Sequence, residues 1–432
     1  MNERRFDRSN ALYERALRTI PLASQTFSKS AMSLVRGASP LFLERGQGAA
    51  VWDVDGNRYI DYVLGLLPVV LGYGDADVDA AIREQLGRGI SFSLATELEV
   101  ELAELLCRLI PCAEMVRFGK NGSDATSAAI RLARAATGRE RVALCGYHGW
   151  HDWYIGTTAR HLGVPKAVRE LSSSFAFNDA GALATLLEAA PNAYAAVILE
   201  PAGAVDPKPG FLQAVRELCD RHGAILVFDE IVTGFRLHLG GAQAYYGVTP
   251  DLACFGKAMG NGMPISAIVG RRPVMRLMDD IFFSGTFGGE ALSLAASLAT
   301  LRKLEALDGP ARIQALGARL AAGFQAALDV VGLAARYKIS GPDWRPIFVP
   351  LSGGQDGIVA TSLFRQEMVA EGLLLLGGVN LCLAHGEAGV VEETLDAAGR
   401  ALRRVAAAYA SNDPARCLRG APVQPVFQVR PQ

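Results

Sequence analysis

The sequence predicts an α/β fold: a large domain on a mostly parallel sheet covered by helices, with a smaller α+β unit towards the C-terminus. Three observations predict it. From about Glu114 onward, short apolar runs alternate with amphipathic helical patterns. Those runs are continuously apolar, as in strands buried on both faces. After about residue 310 the texture changes to helix, strands, helix.

The elements follow in order. The first residues, through Leu17, carry many charges and read as an amphipathic helix. Residues 41–62 alternate apolar and polar around Asp55-Gly56, which predicts a β-hairpin. Helices are expected over Ala76–Leu86 and Glu97–Leu109. Strands and helices then alternate: Met115–Phe118, helix Ser123–Ala136, strand Arg141–Leu144, strand Ala195–Leu199, helix Leu212–His222, strand Ala224–Phe228. A further strand is expected near Ile268-Val269, and Ala291–Leu304 reads as a long apolar helix. Ser411–Gln432, with four prolines, is expected to wrap a surface or fray.

Composition narrows the function classes. Half of the 432 residues are apolar and a fifth are charged, ordinary for a globular enzyme. The net charge of −1 gives no reason to expect nucleic acid or a membrane surface as partner. Seven scattered cysteines contain no C-x-x-C pair, so neither zinc nor a disulfide framework is indicated, and the histidines form no metal-spaced cluster. No apolar run approaches a membrane span, and the N-terminus lacks the apolar stretch of a signal peptide. A cytoplasmic protein with reduced thiols is the expectation.

Five motifs carry chemistry. Asp229 ends an apolar strand, where ligands bind in such sheets, although a carboxylate there can also simply cap the next turn. Lys257 stands in Phe255-Gly-Lys-Ala-Met-Gly-Asn-Gly262. An amine confined among glycines and apolar residues is partly dry, which favours its neutral, nucleophilic form; the alternative is a surface lysine in a loop. Asn121-Gly122-Ser123 at a strand-to-helix junction offers a close backbone approach, a hydroxyl and free N–H groups. That is a phosphate cradle or an ordinary N-cap. It matches neither the NTP-binding loop nor the G-x-G-x-x-G fingerprint, which disfavours a nicotinamide-dependent oxidoreductase. Gly146-Tyr147-His148-Gly149-Trp150-His151 places aromatic rings after a strand, for stacking or loop packing. Ser284-Gly-Thr286-Phe-Gly-Gly289 is a second small-residue loop with a hydroxyl. Together these are the parts that a phosphorylated aldehyde cofactor needs: an amine for the aldehyde, an acid for the ring nitrogen, a ring stack and phosphate donors.

On these segments, with Leu41–Tyr62, Ala196–Pro201, Phe228–Arg236 and Gly247–Leu252, the chain resembles the class III, fold-type I pyridoxal-phosphate aminotransferases over residues 8–405. It is most similar to the subgroup around glutamate-1-semialdehyde 2,1-aminomutase. The resemblance implies an N-terminal segment, 1–70, joining a C-terminal small domain, 311–432, and a cofactor-binding domain over 71–310. It implies pyridoxal 5'-phosphate with Lys257 as Schiff-base lysine and proton shuttle, and Asp229 on the ring nitrogen. Gly122 and Ser123 would hold the phosphate, with Tyr147 on one ring face, Ile231 on the other and His148 beside them. Glu200, of the Glu-Pro pair ending a strand, would lie near cofactor or substrate. Thr286 would reach the phosphate of a partner subunit, hence a homodimer.

The substrate-facing segments depart from the aminomutase pattern. Ser24–Lys29 replaces a segment that carries an arginine in the aminomutases, and Leu376–Asn380 stands where they have a glutamate. Residues 152–174 are shorter than their gating loop, and Lys120–Asp124 differs from their phosphate loop. Lys29, Trp150, Trp153 and Asn380 are placed by alignment at the substrate entrance. The expectation is a ping-pong aminotransferase moving an amino group from an amino acid to a keto acceptor such as a keto sugar or another biosynthetic intermediate. The aminomutase reaction, or a racemase or epimerase, uses the same core motifs and stands as the alternative. A non-catalytic protein that kept the fold is disfavoured by the intact lysine, aspartate and phosphate loops.

Overall fold

In a computed structural model, residues 4–411 and 413–424 are described. They fall into two compact units, one formed by the chain up to Asp75 and from Arg312 onward, the other by Ala76–Ala311. Strands are numbered along the chain.

The first unit opens with the helix Asp7–Ala16, which is tied down by the Asp55 carboxylate accepting from the backbone N–H groups of Arg8 and Ser9. Strands β1 (Leu43–Gln47), β2 (Ala50–Asp53) and β3 (Arg58–Asp61) form an antiparallel meander. The expected turn at Asp55-Gly56 is present: Gly56 takes φ +87°, and Asp53 Oδ1 accepts from the N–H groups of Asp55 and Asn57. A second turn at Gly48, φ +55°, adds β1 ahead of it.

The second unit carries the large sheet. Its strands are β4 (Met115–Gly119), β5 (Arg141–Cys145), β6 (Ser172–Ser174), β7 (Tyr194–Leu199), β8 (Ile225–Asp229), β9 (Leu252–Phe255) and β10 (Ser266–Gly270), in the order β4-β10-β9-β8-β7-β5-β6. All neighbours pair in parallel except β10, which is antiparallel to both β4 and β9. β7, and β8 after its first residue, are buried throughout, as continuous apolar runs require. The register pairs Leu199 with Phe228, so Glu200 and Asp229 emerge side by side from adjacent strand ends. The helix Gly122–Thr137 packs on β10, β9 and β7, and ends at Gly138, whose φ of +65° releases the last turn. The helix Ala291–Ala306 packs on Ala76–Leu86 and Glu97–Leu109, which explains why small residues occupy so much of its surface.

The sequence reading passes over β6, β9 and the helix Ala180–Ala189. Three serines make β6, and β9 is a short run that periodicity alone does not separate from its neighbours. The first unit resumes with β11 (Tyr337–Ser340) and β12 (Ile347–Pro350), which pair with each other, and β13 (Leu373–Leu374), which joins β3 in parallel. Part of the expected C-terminal wrap lies within the described residues. Gln366 binds the Cys417 carbonyl and the Arg419 N–H, and Val423 N donates to Ser362 Oγ. Residues 412 and 425–432 lie outside the described residues. Among the described residues no helix is long and apolar enough to cross a membrane.

Directly after Asp229, the fully buried Glu230 fixes the chain. It accepts hydrogen bonds from Thr233 Oγ1 (2.6 Å), Ala242 N (2.6 Å) and Gln243 N (3.0 Å). Glu230→Ala leaves these buried donors unmatched, at about 1–3 kcal/mol each. We expect a clear drop in thermal midpoint. An unchanged midpoint contradicts this role.

Candidate active site

The site is built at the carboxyl ends of β7 and β8. Asp229 is 2% exposed. Its Oδ2 lies 2.8 Å from His148 Nδ1, and its Oδ1 accepts from Ile231 N at 3.2 Å. The Nδ1 proton therefore points at the carboxylate, and the buried His148 Nε2 is left without a hydrogen-bond partner. The His148 ring is flanked by Trp153, near-parallel with centroids 6.3 Å apart, and edge-on by Tyr154 at 5.4 Å.

Glu200 stands beside Asp229. Its Oε2 accepts from Tyr147 N at 2.9 Å. Burial pushes its carboxyl above the ordinary range and the neighbouring Asp229 charge adds to the rise, while His148, the Tyr147 N–H and Lys257 oppose it. These influences bring Glu200, Asp229, His148 and Lys257 into one electrostatic cluster. Burial, then Asp229 and Glu200, also raise the Tyr147 phenol. Tyr147 remains half exposed and meets Tyr154 edge-on at 5.5 Å. Lys257 opens a single 3-10 turn with φ +39°, a left-handed conformation that costs a residue with a side chain and recurs at functional sites.

The glycines of this region are spaces that a side chain would fill. A Cβ at Gly122 would stand 2.6 Å from Ile231 Cδ1, one at Gly146 would stand 2.5 Å from Glu200 Oε2, and one at Gly149 would stand 2.2 Å from Ser123 Oγ. Ile231 therefore lies over the start of the helix Gly122–Thr137, and its Cγ2 also comes within 3.8 Å of where a Cβ of Gly256 would be, next to Lys257. At that helix start Asp124 Oδ2 accepts from Asn121 N (2.7 Å) and Lys120 N (3.0 Å). Ser123 is buried, with Oγ accepting from Trp150 N at 3.3 Å. The first-turn N–H groups and one hydroxyl thus gather at one point, as an anion site requires.

The candidates Lys257, Asp229, Glu200, His148, Tyr147, Gly122, Ser123 and Ile231 lie together in the second unit. Thr286 does not join them: it is exposed, in a loop that also exposes Phe282 and Phe287. Two of the residues expected at an entrance are buried in this chain. Trp153 is 8% exposed and spends its indole N–H on Ser127 Oγ. Asn380 is buried in the first unit, with its amide on Arg345 Nε and the Val63 carbonyl. Sequence reasoning missed the ion pair between Lys120 and Glu290, 2.9 Å long, and the use of Glu290 as the cap of the helix Ala291–Ala306. A lysine before the phosphate loop and an acid before a helix were the available signals.

A family model described as aminotransferase class-III matches residues 33–332. The chain belongs to the class III aminotransferases. It is 40% identical over 398 residues to a glutamate-1-semialdehyde 2,1-aminomutase of Roseiflexus castenholzii, covering 85% of this chain and 91% of that one. It is 38% identical over 347 residues to a 3-aminobutyryl-CoA aminotransferase of Cloacimonas acidaminovorans, covering 78% and 82%. Among solved structures, the FumI protein of Sphingopyxis sp. MTA144 in a PLP form superposes with a TM-score of 0.88 at 32% identity, over 95% of this chain and 99% of that one. An omega-transaminase from Sphaerobacter thermophilus superposes with a TM-score of 0.82 at 29% identity, over 91% and 97%.

This class III aminotransferase is a pyridoxal-phosphate enzyme of fold-type I. The residues present fit that cofactor. They offer a close-approach helix start with a buried hydroxyl, a buried strand-end carboxylate braced by a histidine, and a strained lysine in the same cluster.

The raised carboxyl of Glu200 makes a pH prediction. A group whose folded value lies above its ordinary 4.5 contributes stability below that pH and loses it as pH rises through the folded value. Glu200→Gln keeps the acceptor for Tyr147 N but does not ionise. Compared with wild type, its thermal midpoint should gain as pH rises above 4.5 in the cofactor-free protein, where the wild-type carboxyl loses its stabilising contribution. A pH-independent difference contradicts the assignment.

Proposed function

We propose that the cluster at the ends of β7 and β8 is the cofactor site of an aminotransferase that takes an amino group from an amino acid and gives it to a keto acceptor of biosynthetic metabolism. The observation that carries this reading is the convergence of one lysine amine, Lys257, with a buried histidine-braced carboxylate, Asp229, at the carboxyl end of the sheet. When bound, pyridoxal phosphate supplies an aldehyde that condenses with amines and a ring that draws electrons from the donor's Cα–H bond.

The chain's residues do the rest. Asp229 holds a proton at the ring nitrogen, and His148 Nδ1 keeps the carboxylate aimed. The N–H groups after Asn121 and the Ser123 hydroxyl bind the phosphate. Tyr147 and Ile231 enclose opposite ring faces and exclude water. Lys257 Nζ would take the proton from the donor's Cα and deliver it to the carbon of the cofactor's former aldehyde, so that the donor skeleton can leave as a 2-oxo acid. Glu200, with its Tyr147 bond, sets the position of the ring that Tyr147 covers. Thr286, exposed on its loop, acts towards a second copy of the chain in a cytoplasmic homodimer. In this reading the second unit is the cofactor-binding domain and the first unit the small domain.

Release of the donor skeleton, rather than its rearrangement, is favoured by the altered segments Ser24–Lys29 and Leu376–Asn380, and transaminases stand among the similar structures. The test is a half-reaction. Holoenzyme mixed with one amino acid and no acceptor should release about one equivalent of the matching 2-oxo acid per subunit. Lys257→Ala should release none, and Asp229→Asn should slow release by about 10²-fold or more. Absence of any 2-oxo acid across the common amino acids, with conversion of glutamate-1-semialdehyde to 5-aminolevulinate, overturns the proposal in favour of the aminomutase reaction.

A further inference from the structure

The helix that begins at the phosphate cradle carries three hydroxyls at helical spacing, Ser123, Thr126 and Ser127, and all three are used on one loop. Ser123 Oγ accepts from Trp150 N at 3.3 Å. Thr126 Oγ1 donates to the His148 carbonyl at 2.9 Å. Ser127 Oγ lies 2.6 Å from His151 Nδ1 and accepts the Trp153 indole N–H at 2.9 Å. A hydroxyl has one proton and two lone pairs, so Ser127 meets both partners by donating to His151 and accepting from Trp153. The loop so fastened is the one that presents Tyr147 and His148.

Ser127 stands at the far end of this clasp. Trp153 is 8% exposed, lies along the His148 ring and is fixed again at its carbonyl by Ser172 Oγ, 2.7 Å away. Tyr154 follows it, edge-on to both Tyr147 and His148, with its hydroxyl on the Gly146 carbonyl at 3.0 Å. Movement of the indole therefore frees one side of His148, the donor to Asp229, and the support of Tyr147.

We infer that Ser127 is a positioning residue for the cofactor: through Trp153 and His151 it holds the Tyr147–His148 loop against the helix whose first turn binds the phosphate. The inference rests on the site reading above, in which Asp229 and Ser123 hold the cofactor. It adds a residue that touches no cofactor atom. One element then supplies the anion site and orients the loop beside it, and the Ser123 hydroxyl belongs to both.

The test measures cofactor affinity and the pH at which the visible band of the bound cofactor changes, in the full-length protein. Ser127→Ala should raise the dissociation constant of pyridoxal phosphate about tenfold and move that pH, because His148 is less constrained on Asp229. Ser127→Thr, which keeps the hydroxyl, should restore both. Thr300→Ala, which removes a buried hydroxyl bonded only within the helix Ala291–Ala306, should lower the melting temperature without moving either. Asp229→Asn in the same assay tests the underlying site reading. If Asp229→Asn weakens binding while Ser127→Ala leaves affinity and midpoint at wild-type values, the inference fails and the site reading stands. If Asp229→Asn also changes nothing, both fail. Equal effects of Ser127→Ala and Thr300→Ala show general destabilisation and overturn the inference.

Discussion

A carboxylate removed from water has to find its partners inside the protein, and the hydrogen bond from His148 to Asp229 is the interaction around which this site is arranged. Asp229 is presented by a strand whose neighbours are apolar on both sides, so nothing in the sheet itself can satisfy it. The donor comes from a loop after β5, two strands away in the sheet order. Everything that fixes that loop, from the Thr126 hydroxyl on the His148 carbonyl to the Tyr154 hydroxyl on Gly146, contributes to keeping the bond in place.

The same arrangement separates two carboxyls that leave adjacent strands. Asp229 receives an imidazole N–H and a backbone N–H. Glu200 receives one backbone N–H and is pushed towards its neutral form by burial and by Asp229. Environment divides their roles: one side chain is equipped to face a positive ring nitrogen, and the other sits beside it with less charge to repel. Glycines at positions 122, 146 and 149 remove the side chains that would otherwise occupy this space.

Much of this was legible in the sequence, for reasons that can be named. The sheet followed from continuous apolar runs, and the helix Ala76–Leu86 from apolar residues at helical spacing. Asp229 and Lys257 each had an ordinary reading, as a turn cap and a loop lysine, and stood out through their order along the chain with the phosphate-cradle, aromatic and second hydroxyl segments. What was not legible depends on distance along the chain. The His148–Asp229 bond joins residues 81 apart, and the clasp on Ser127 joins residues 24 and 26 apart. Strand content escaped where three serines form β6. The backbone at Leu64, Leu66 and Leu67 gave no signal either: each takes a positive φ, of 50°, 77° and 84°, that leucine disfavours. Asp61 holds the start of that turn by accepting from the N–H groups of Val63 and Leu64.

The central claim is that Asp229, braced by His148, keeps the cofactor's ring nitrogen protonated. It is tested most directly by the ¹⁵N chemical shift of ring-labelled pyridoxal phosphate bound to the enzyme. The account predicts a protonated-nitrogen shift in the wild-type protein and its loss in Asp229→Asn. A shift typical of unprotonated pyridine in the wild type, or one that Asp229→Asn leaves unchanged, contradicts it.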